Sequence, residues 1–382
     1  MRNALPIATL LMLGVNSLVL VGVSARAEPV EAWGFVPAQP SLASAFTSLF
    51  VHANALHWIK NALFLALFGW YVERALGSAR WLVLYLLSGL GAIALHWAMS
   101  LTLQPALYRE GLVGASGAIS GLVGYFALRF YRHQVRLLWA SPSRWGLAIP
   151  MWVGVVLWVV LQGLGAIVEA GQPTPSEVGY WAHLGGFATG LTLAVLWGAG
   201  AASEREYAVQ QAEQALQQGA AGEALHHLQP LLRLPRPEPY WLYLKGAAWA
   251  LLGDHEEAAN ALTNALQHAL QHASYATAVQ AADLLAELNQ LSALDPPVLR
   301  QLFQQAECHR DLPRALRWLE SLTLSPDAPN RPEWLLLRAR WLQQQGDADT
   351  ACALLQQLMR EYPDSLQAAL ARLHSNRCPR KD

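Results

Sequence analysis

No aspartate occurs before Asp254, and residues 1–202 hold only 16 of the 53 charged side chains, ten Lys/Arg and six Glu. This scarcity excludes a water-soluble first half and removes any Ser-His-Asp triad from it. The other 37 charges fall in residues 203–382, which read as an ordinary water-soluble sequence. Cysteine is scarce as well. Cys308, Cys352 and Cys378 all lie in the second half without metal-ligand spacing, which fits free thiols in a reducing compartment better than a disulfide framework. No phosphate loop, metal cluster or cofactor fingerprint is visible, so no cofactor is expected. A net charge of −1 gives no electrostatic reason to expect nucleic acid as a partner.

Long apolar runs fill the first half. Six spans are expected, roughly 4–23, 57–76, 80–100, 113–131, 147–168 and 181–199, each near the ~20 residues that a helix needs to cross ~30 Å of hydrocarbon. Six crossings put both ends on one side. Arg2, Arg74, Arg80, Arg129, Arg132, Arg136 and Arg144 share that side, while the opposite loops carry Arg26 and Arg109, so the positive-inside rule makes the arginine-rich face cytoplasmic. The expected location is multi-pass in a bacterial inner membrane, both termini cytoplasmic. Arg2, the apolar stretch and Ala25-Arg26-Ala27 before Glu28 also fit a signal peptide; Leu5 to Val23, about 19 residues, exceeds the ~7–15 of a signal core, which favours an uncleaved helix.

The chain is therefore expected to be all-α, a six-helix polytopic membrane bundle over residues 1–202 followed by a soluble α-helical repeat domain over 203–382. Within the bundle, Gly114-Ala115-Ser116-Gly117 opens span four and Ala182-His183-Leu184-Gly185-Gly186 begins span six. Both features fall at the same outer face. A serine hydroxyl becomes nucleophilic when a neighbouring base takes its proton, and histidine titrates near neutral pH. Gly114, Gly117, Gly121 and Gly124 on span four, with Gly185, Gly186 and Gly190 on span six, give small-xxx-small surfaces for close backbone packing, or else for dimerisation. Glu169 and Glu177, placed in the outer loop before His183, are candidates to orient it, although loop glutamates are more often solvated. A Ser/His dyad is the natural alternative to a triad.

His52, Asn54, His57 and Asn61 cluster at the outer end of span two, with His57 and Asn61 four apart on one helical face. Polar groups at that depth are costly unless they line a cavity or pair. Together with the Ser116 amide at a helix N-terminus they offer donors for a developing oxyanion. Taken singly, Asn54 reads as a turn residue, Lys60 as an interfacial cation, and His96 and His133 as packing or interfacial residues.

These motifs, in this order and on these spans, resemble the rhomboid family of intramembrane serine proteases over essentially residues 1–200. The resemblance implies Ser116 as nucleophile, His183 as general base, and His57, Asn61 and the Ser116 amide as oxyanion stabilisers; Gly114 is placed in support, and His52 reads either as support for the substrate site or as a solvated loop residue. It also implies transmembrane-helix substrates in the lipid bilayer, unwound near the outer surface and admitted between spans two and five. Two departures stand out. Some members place an aromatic residue four positions after the nucleophile, against the imidazole; here that residue is Ser120. The Trp-Arg pair of the first outer loop is also missing, and Trp33-Gly34-Phe35-Val36-Pro37 fills part of that loop.

In the second half, Gly219, Gly253 and Gly346 each precede an alanine, Ala224, Ala258 and Ala351, by five residues, and the first two glycines are 34 apart. That period is the tetratricopeptide length. Ala339-x2-Leu342, Ala351-x3-Leu355 and Pro363 repeat the paired-helix pattern, and Asp311, Ala315 and Leu319 mark a degenerate unit, giving about four repeats. Such a stack would bind a cytoplasmic protein or peptide partner, or else serve as a helical cap. Two functions follow as expectations: an intramembrane serine endopeptidase, or a non-catalytic scaffold that binds transmembrane helices.

Overall fold

A computed structural model describes residues 5–26, 30–136, 148–172, 178–326 and 328–375. It is helical, with one short antiparallel ladder pairing β1 (Gln134–Arg136) and β2 (Ala148–Pro150). Two compact units divide the chain, Met1–Glu206 and Tyr207–Asp382.

The first unit contains α1 (Ile7–Arg26), α2 (Leu42–Thr47), α3 (Ala55–Phe64), α4 (Trp70–Leu76), α5 (Ser78–Thr102), α6 (Ser116–Arg129), α7 (Met151–Ala170) and α8 (Tyr180–Leu196). A π-helical turn, Leu65–Gly69, joins α3 to α4. Every expected span coincides with one of these helical segments. Among the described residues, α5 and α7 are long and apolar enough to cross a membrane by themselves, and a third span is reached if α8 and α9 (Ala199–Gln217), bent by 63°, are taken as one. Arg2, Arg144 and Glu177 lie outside the described residues.

Helix α6 is the centre of this unit. Residues 117–126 and Arg129 are buried, because glycine and alanine leave little side chain to hold neighbours away. A methyl group on Gly186 would collide with the Gly117 carbonyl, one on Gly190 with the Gly121 carbonyl, and one on Gly124 with the Phe187 carbonyl. The contact register advances together on α6 and α8, so the two helices run parallel. On α5 it runs backwards, Ala92 meeting Gly117 and Ser88 meeting Gly121, so that helix is antiparallel. The glycine surfaces thus hold one chain together internally.

Outer helices are fastened by polar groups. Ala8, Met12 and Asn16 form the buried stripe of α1, and Glu73 accepts from the amides of Ala8 at 2.8 Å and Thr9 at 2.7 Å and from the Ser78 hydroxyl at 2.7 Å. A buried carboxylate here satisfies amides that the start of a helix leaves unpaired. Arg129 pairs with Glu206, and Arg132 with Glu204 at 3.0 Å, which fixes the first turns of α9. Helix α7 is peripheral: Val155, Ala166 and Glu169 are its only fully buried residues.

The second unit continues with α10 (Ala221–Leu232), α11 (Pro239–Leu251), α12 (His255–Gln271), α13 (Tyr275–Glu287), α14 (Pro296–Cys308), α15 (Leu312–Leu324), α16 (Arg331–Gln345), α17 (Ala348–Glu361) and α18 (Leu366–Ser375). Ala224, Ala258, Ala315 and Ala351 are fully buried where paired helices touch. Gly219, Gly253 and Gly346 have φ of 77°, 80° and 88°, the left-handed geometry that ends a helix. The less regular interval uses Ala273, Asn289 and Arg310 in the same conformation, at φ of 52°, 57° and 56°. Each of the six turns closes with an amide donating back five residues, from Ala220 to Ala215 at 2.8 Å through Asp347 to Leu342 at 3.0 Å. Cys308 is a free, exposed thiol, but Cys352 is disulfide-bonded, which corrects the expectation that all the cysteines are free and removes the compartment argument drawn from them.

The glycine contact predicts a contrast. Gly186→Ala should lose about 1–3 kcal/mol, the range for overpacked interiors, whereas Gly163→Ala, with nothing within 4 Å of its new methyl, should be neutral. Thermal denaturation of both purified variants in one detergent measures the difference.

Candidate active site

A cavity of about 570 Å³ opens among α3, α5, α6, α7 and α8. Ser116, His183, His57 and Asn61, four residues expected to act together, all line it. Ser116 is the first residue of α6, so its amide belongs to the donors that a helix leaves without internal partners. His183 is the fourth residue of α8, its own amide donating to the Gly179 carbonyl at 2.9 Å. Because α6 and α8 are parallel and in contact from Gly117 and Gly186 onward, their starting turns lie at one level.

The loop leading into Ser116 is held from outside the bundle. Phe35 and Leu112 exchange two backbone hydrogen bonds of 2.9 Å, and the Gly114 amide donates to the Ser48 carbonyl at 2.9 Å. The Phe35 segment therefore fixes the approach to Ser116. Gly114 has φ of 125°, which an L side chain rarely adopts, and a methyl there would lie 2.8 Å from Cε1 and Nε2 of His57 and 3.6 Å from Ser116 Oγ. Glycine thus lets the His57 ring and the serine hydroxyl share the same small region.

Helix α3 presents its polar face through local capping. Asn54 Oδ1 accepts from the His57 amide at 2.8 Å, the expected turn role, and Asn61 Nδ2 donates to the His57 carbonyl at 3.0 Å. His52 does not line the cavity. It is buried behind His57 with ring centroids 5.3 Å apart, and its Nδ1 donates to the Phe50 carbonyl at 3.2 Å. Burial, then the neighbouring His57, lowers its pKa to about 4, so it supports the site as a neutral ring.

Two cavity residues, His96 and Trp158, and one residue behind His183, Gln162, were not assigned to the site from sequence. His96, expected at a packing or interfacial position, lines the cavity while 3% exposed, and neither ring nitrogen has a protein partner. Trp158 and Gln162 lie one turn apart on α7. The indole sits 6.3 Å from the His183 ring, and Gln162 Oε1 lies 2.8 Å from His183 Nδ1. A lone amide within an apolar span was the available signal, since such a group is costly in lipid without a partner. Glu169 is not a loop residue: it lies in the last turn of α7 and is buried, because the helix continues past the expected end of span five. Ser120 donates to the Ser116 carbonyl at 2.7 Å.

Residues 39–199 match the Rhomboid domain, and residues 335–365 match a tetratricopeptide repeat. Among similar proteins, RHOMBOID-like protein 7 of Arabidopsis thaliana is 29% identical over 165 residues, covering 43% of this chain and 46% of that protein. RHOMBOID-like protein 4 of the same plant is 33% identical over 143 residues, covering 37% and 31%. The chain thus spans less than half the length of these relatives.

Gly114→Ala is expected to lose about 1–3 kcal/mol, the cost of a strained backbone position. A melting curve that superimposes on the wild type's would show that the loop accommodates a side chain after all.

Proposed function

We propose, from the rhomboid domain and tetratricopeptide repeat that this chain carries, that the protein is an intramembrane serine endopeptidase acting on transmembrane helices through Ser116 and His183. The observation that carries this reading is the single cavity lined by Ser116, His183, His57 and Asn61. His183 Nε2 takes the proton of Ser116 Oγ as the oxygen attacks a peptide carbonyl. The resulting oxyanion faces the Ser116 amide and the polar groups of His57 and Asn61, and His183 returns the proton to the departing amine. Water, activated by the same imidazole, then releases the acyl group from Ser116.

The substrate class follows from the cavity walls. His57, Lys60, Asn61 and Phe64 come from α3 and Trp158 from α7, so a segment entering between those helices would meet the nucleophile. Helical peptide bonds are sterically and hydrogen-bond protected, which favours segments that unwind. Six crossings, with the arginine-rich face and the repeats in the cytoplasm of a bacterial inner membrane, complete the proposed arrangement by the positive-inside rule. The repeats would recruit a protein or peptide. The scaffold alternative leaves the serine and histidine without a use.

Cleavage of a model transmembrane substrate in vesicles tests the assignment. Ser116→Ala and His183→Ala should each lower the rate by roughly 10³-fold or more; rates equal to wild type would reject serine catalysis. Deleting residues 208–382, a cut that keeps Glu204 and Glu206 with their arginines, should preserve cleavage of that substrate while changing substrate choice. Loss of activity in a truncation that still melts cooperatively would overturn the recruiting role.

A further inference from the structure

We infer that Gln162 is a positioning residue for His183, the group that fixes which ring nitrogen of the imidazole carries the proton; this rests on the dyad reading above. Gln162 Oε1 lies 2.8 Å from His183 Nδ1. With that oxygen toward the ring, Nδ1 donates to it and Nε2 keeps the lone pair that a general base needs; the amide nitrogen turned inward would reverse the two. The opposite tautomer would present N–H to the serine and could not take its proton.

The position expected to hold the ring does not do so here. Ser120, one turn after Ser116, has no aromatic surface, and its hydroxyl proton goes to the Ser116 carbonyl at 2.7 Å. Helix α7 supplies both missing functions from adjacent turns of one face. Trp158 lies against the imidazole at 6.3 Å with an interplanar angle of 34°, and against Phe187 at 5.8 Å, which sets the ring plane. Gln162 sets the protonation pattern. Nothing else explains a polar amide in the middle of this span: the helix is mostly apolar and exposed, and an unpaired amide facing hydrocarbon is costly.

The arrangement divides the machinery between a rigid and a peripheral element. Ser116 and the His183 backbone belong to the glycine-packed helices α6 and α8, whereas the tautomer is held by α7. His57 and Lys60 on α3, His96 on α5 and Glu110 in the loop before α6 are the other titratable groups lining the cavity, and Glu169 lies further along α7. All are unchanged by substitution at 162, so a difference between variants reports that residue.

The test uses the full chain in lipid nanodiscs. Nitrogen-15 spectra of the histidine side chains, with His183 assigned by its loss in His183→Asn, should show the proton on Nδ1 in the wild type and a mixture of tautomers in Gln162→Leu. Modification of Ser116 by a fluorophosphonate should slow by roughly ten-fold or more in Gln162→Leu, a factor of ten being about 1.4 kcal/mol of barrier. Gln162→Glu should recover most of that rate and move the acid limb of its pH profile upward by about one unit, because a carboxylate beside Nδ1 favours the imidazolium. Group packing alone would give no such displacement. A wild-type proton on Nε2, or a Gln162→Leu protein with unchanged tautomer and labelling rate, would overturn the inference. Failure of the dyad itself looks different: Ser116→Ala would be labelled as fast as the wild type, while the tautomer would still report on Gln162.

Discussion

Backbone-to-backbone contact between α6 and α8 is the constraint from which the site follows. Gly117 on Gly186 and Gly121 on Gly190 leave no room for a methyl group, so the two helices can neither rotate nor slide without opening a gap or a clash. In hydrocarbon, where apolar burial adds little between helices, such close packing is the main attraction available. It also makes the helices parallel, and parallel helices present their unpaired starting amides on one side. A hydroxyl on the first residue of one and an imidazole in the first turn of the other are brought to a common depth.

Around that fixed pair the remaining elements act as braces of different kinds. The Phe35 and Ser48 backbones hold the loop before Ser116, Asn54 caps the helix bearing His57, and neutral His52 fills the space behind it. On the opposite face, Glu73 and the Arg129 and Arg132 ion pairs fasten α1 and α9. The few charged groups of the membrane half are largely structural where the contacts are described.

Local, repeated signals were legible in the sequence. The glycine spacing, the Ser116 and His183 motifs and the i,i+4 pair His57 and Asn61 depend on residue type and helical period alone. Gln162 and His96 were not, because only packing between helices distant in sequence brings Gln162 to the His183 ring and His96 to the cavity wall. The burial of Glu169 followed from where α7 ends, and boundaries are the weakest part of any periodicity reading. In the repeat unit, the turns at Gly219, Gly253 and Gly346 were visible because glycine marks the left-handed conformation. Ala273, Asn289 and Arg310 adopt it without that marker, stabilised by the surrounding helix pairs, and so the middle of the array looked more degenerate than its geometry is.

The π-helical turn at Leu65–Gly69 separates two duties within a single span. Each residue of an α-helix advances about 100° around the axis, so a loop of one extra residue sets everything after it on a different bearing from what an unbroken helix would give. Upstream lie His57 and Asn61; downstream lie Val72 and the carboxylate of Glu73, both turned inward. Insertions and deletions in this stretch would therefore act like a rotary joint, swinging the anchor for α1 toward lipid while leaving His57 and Asn61 facing their cavity.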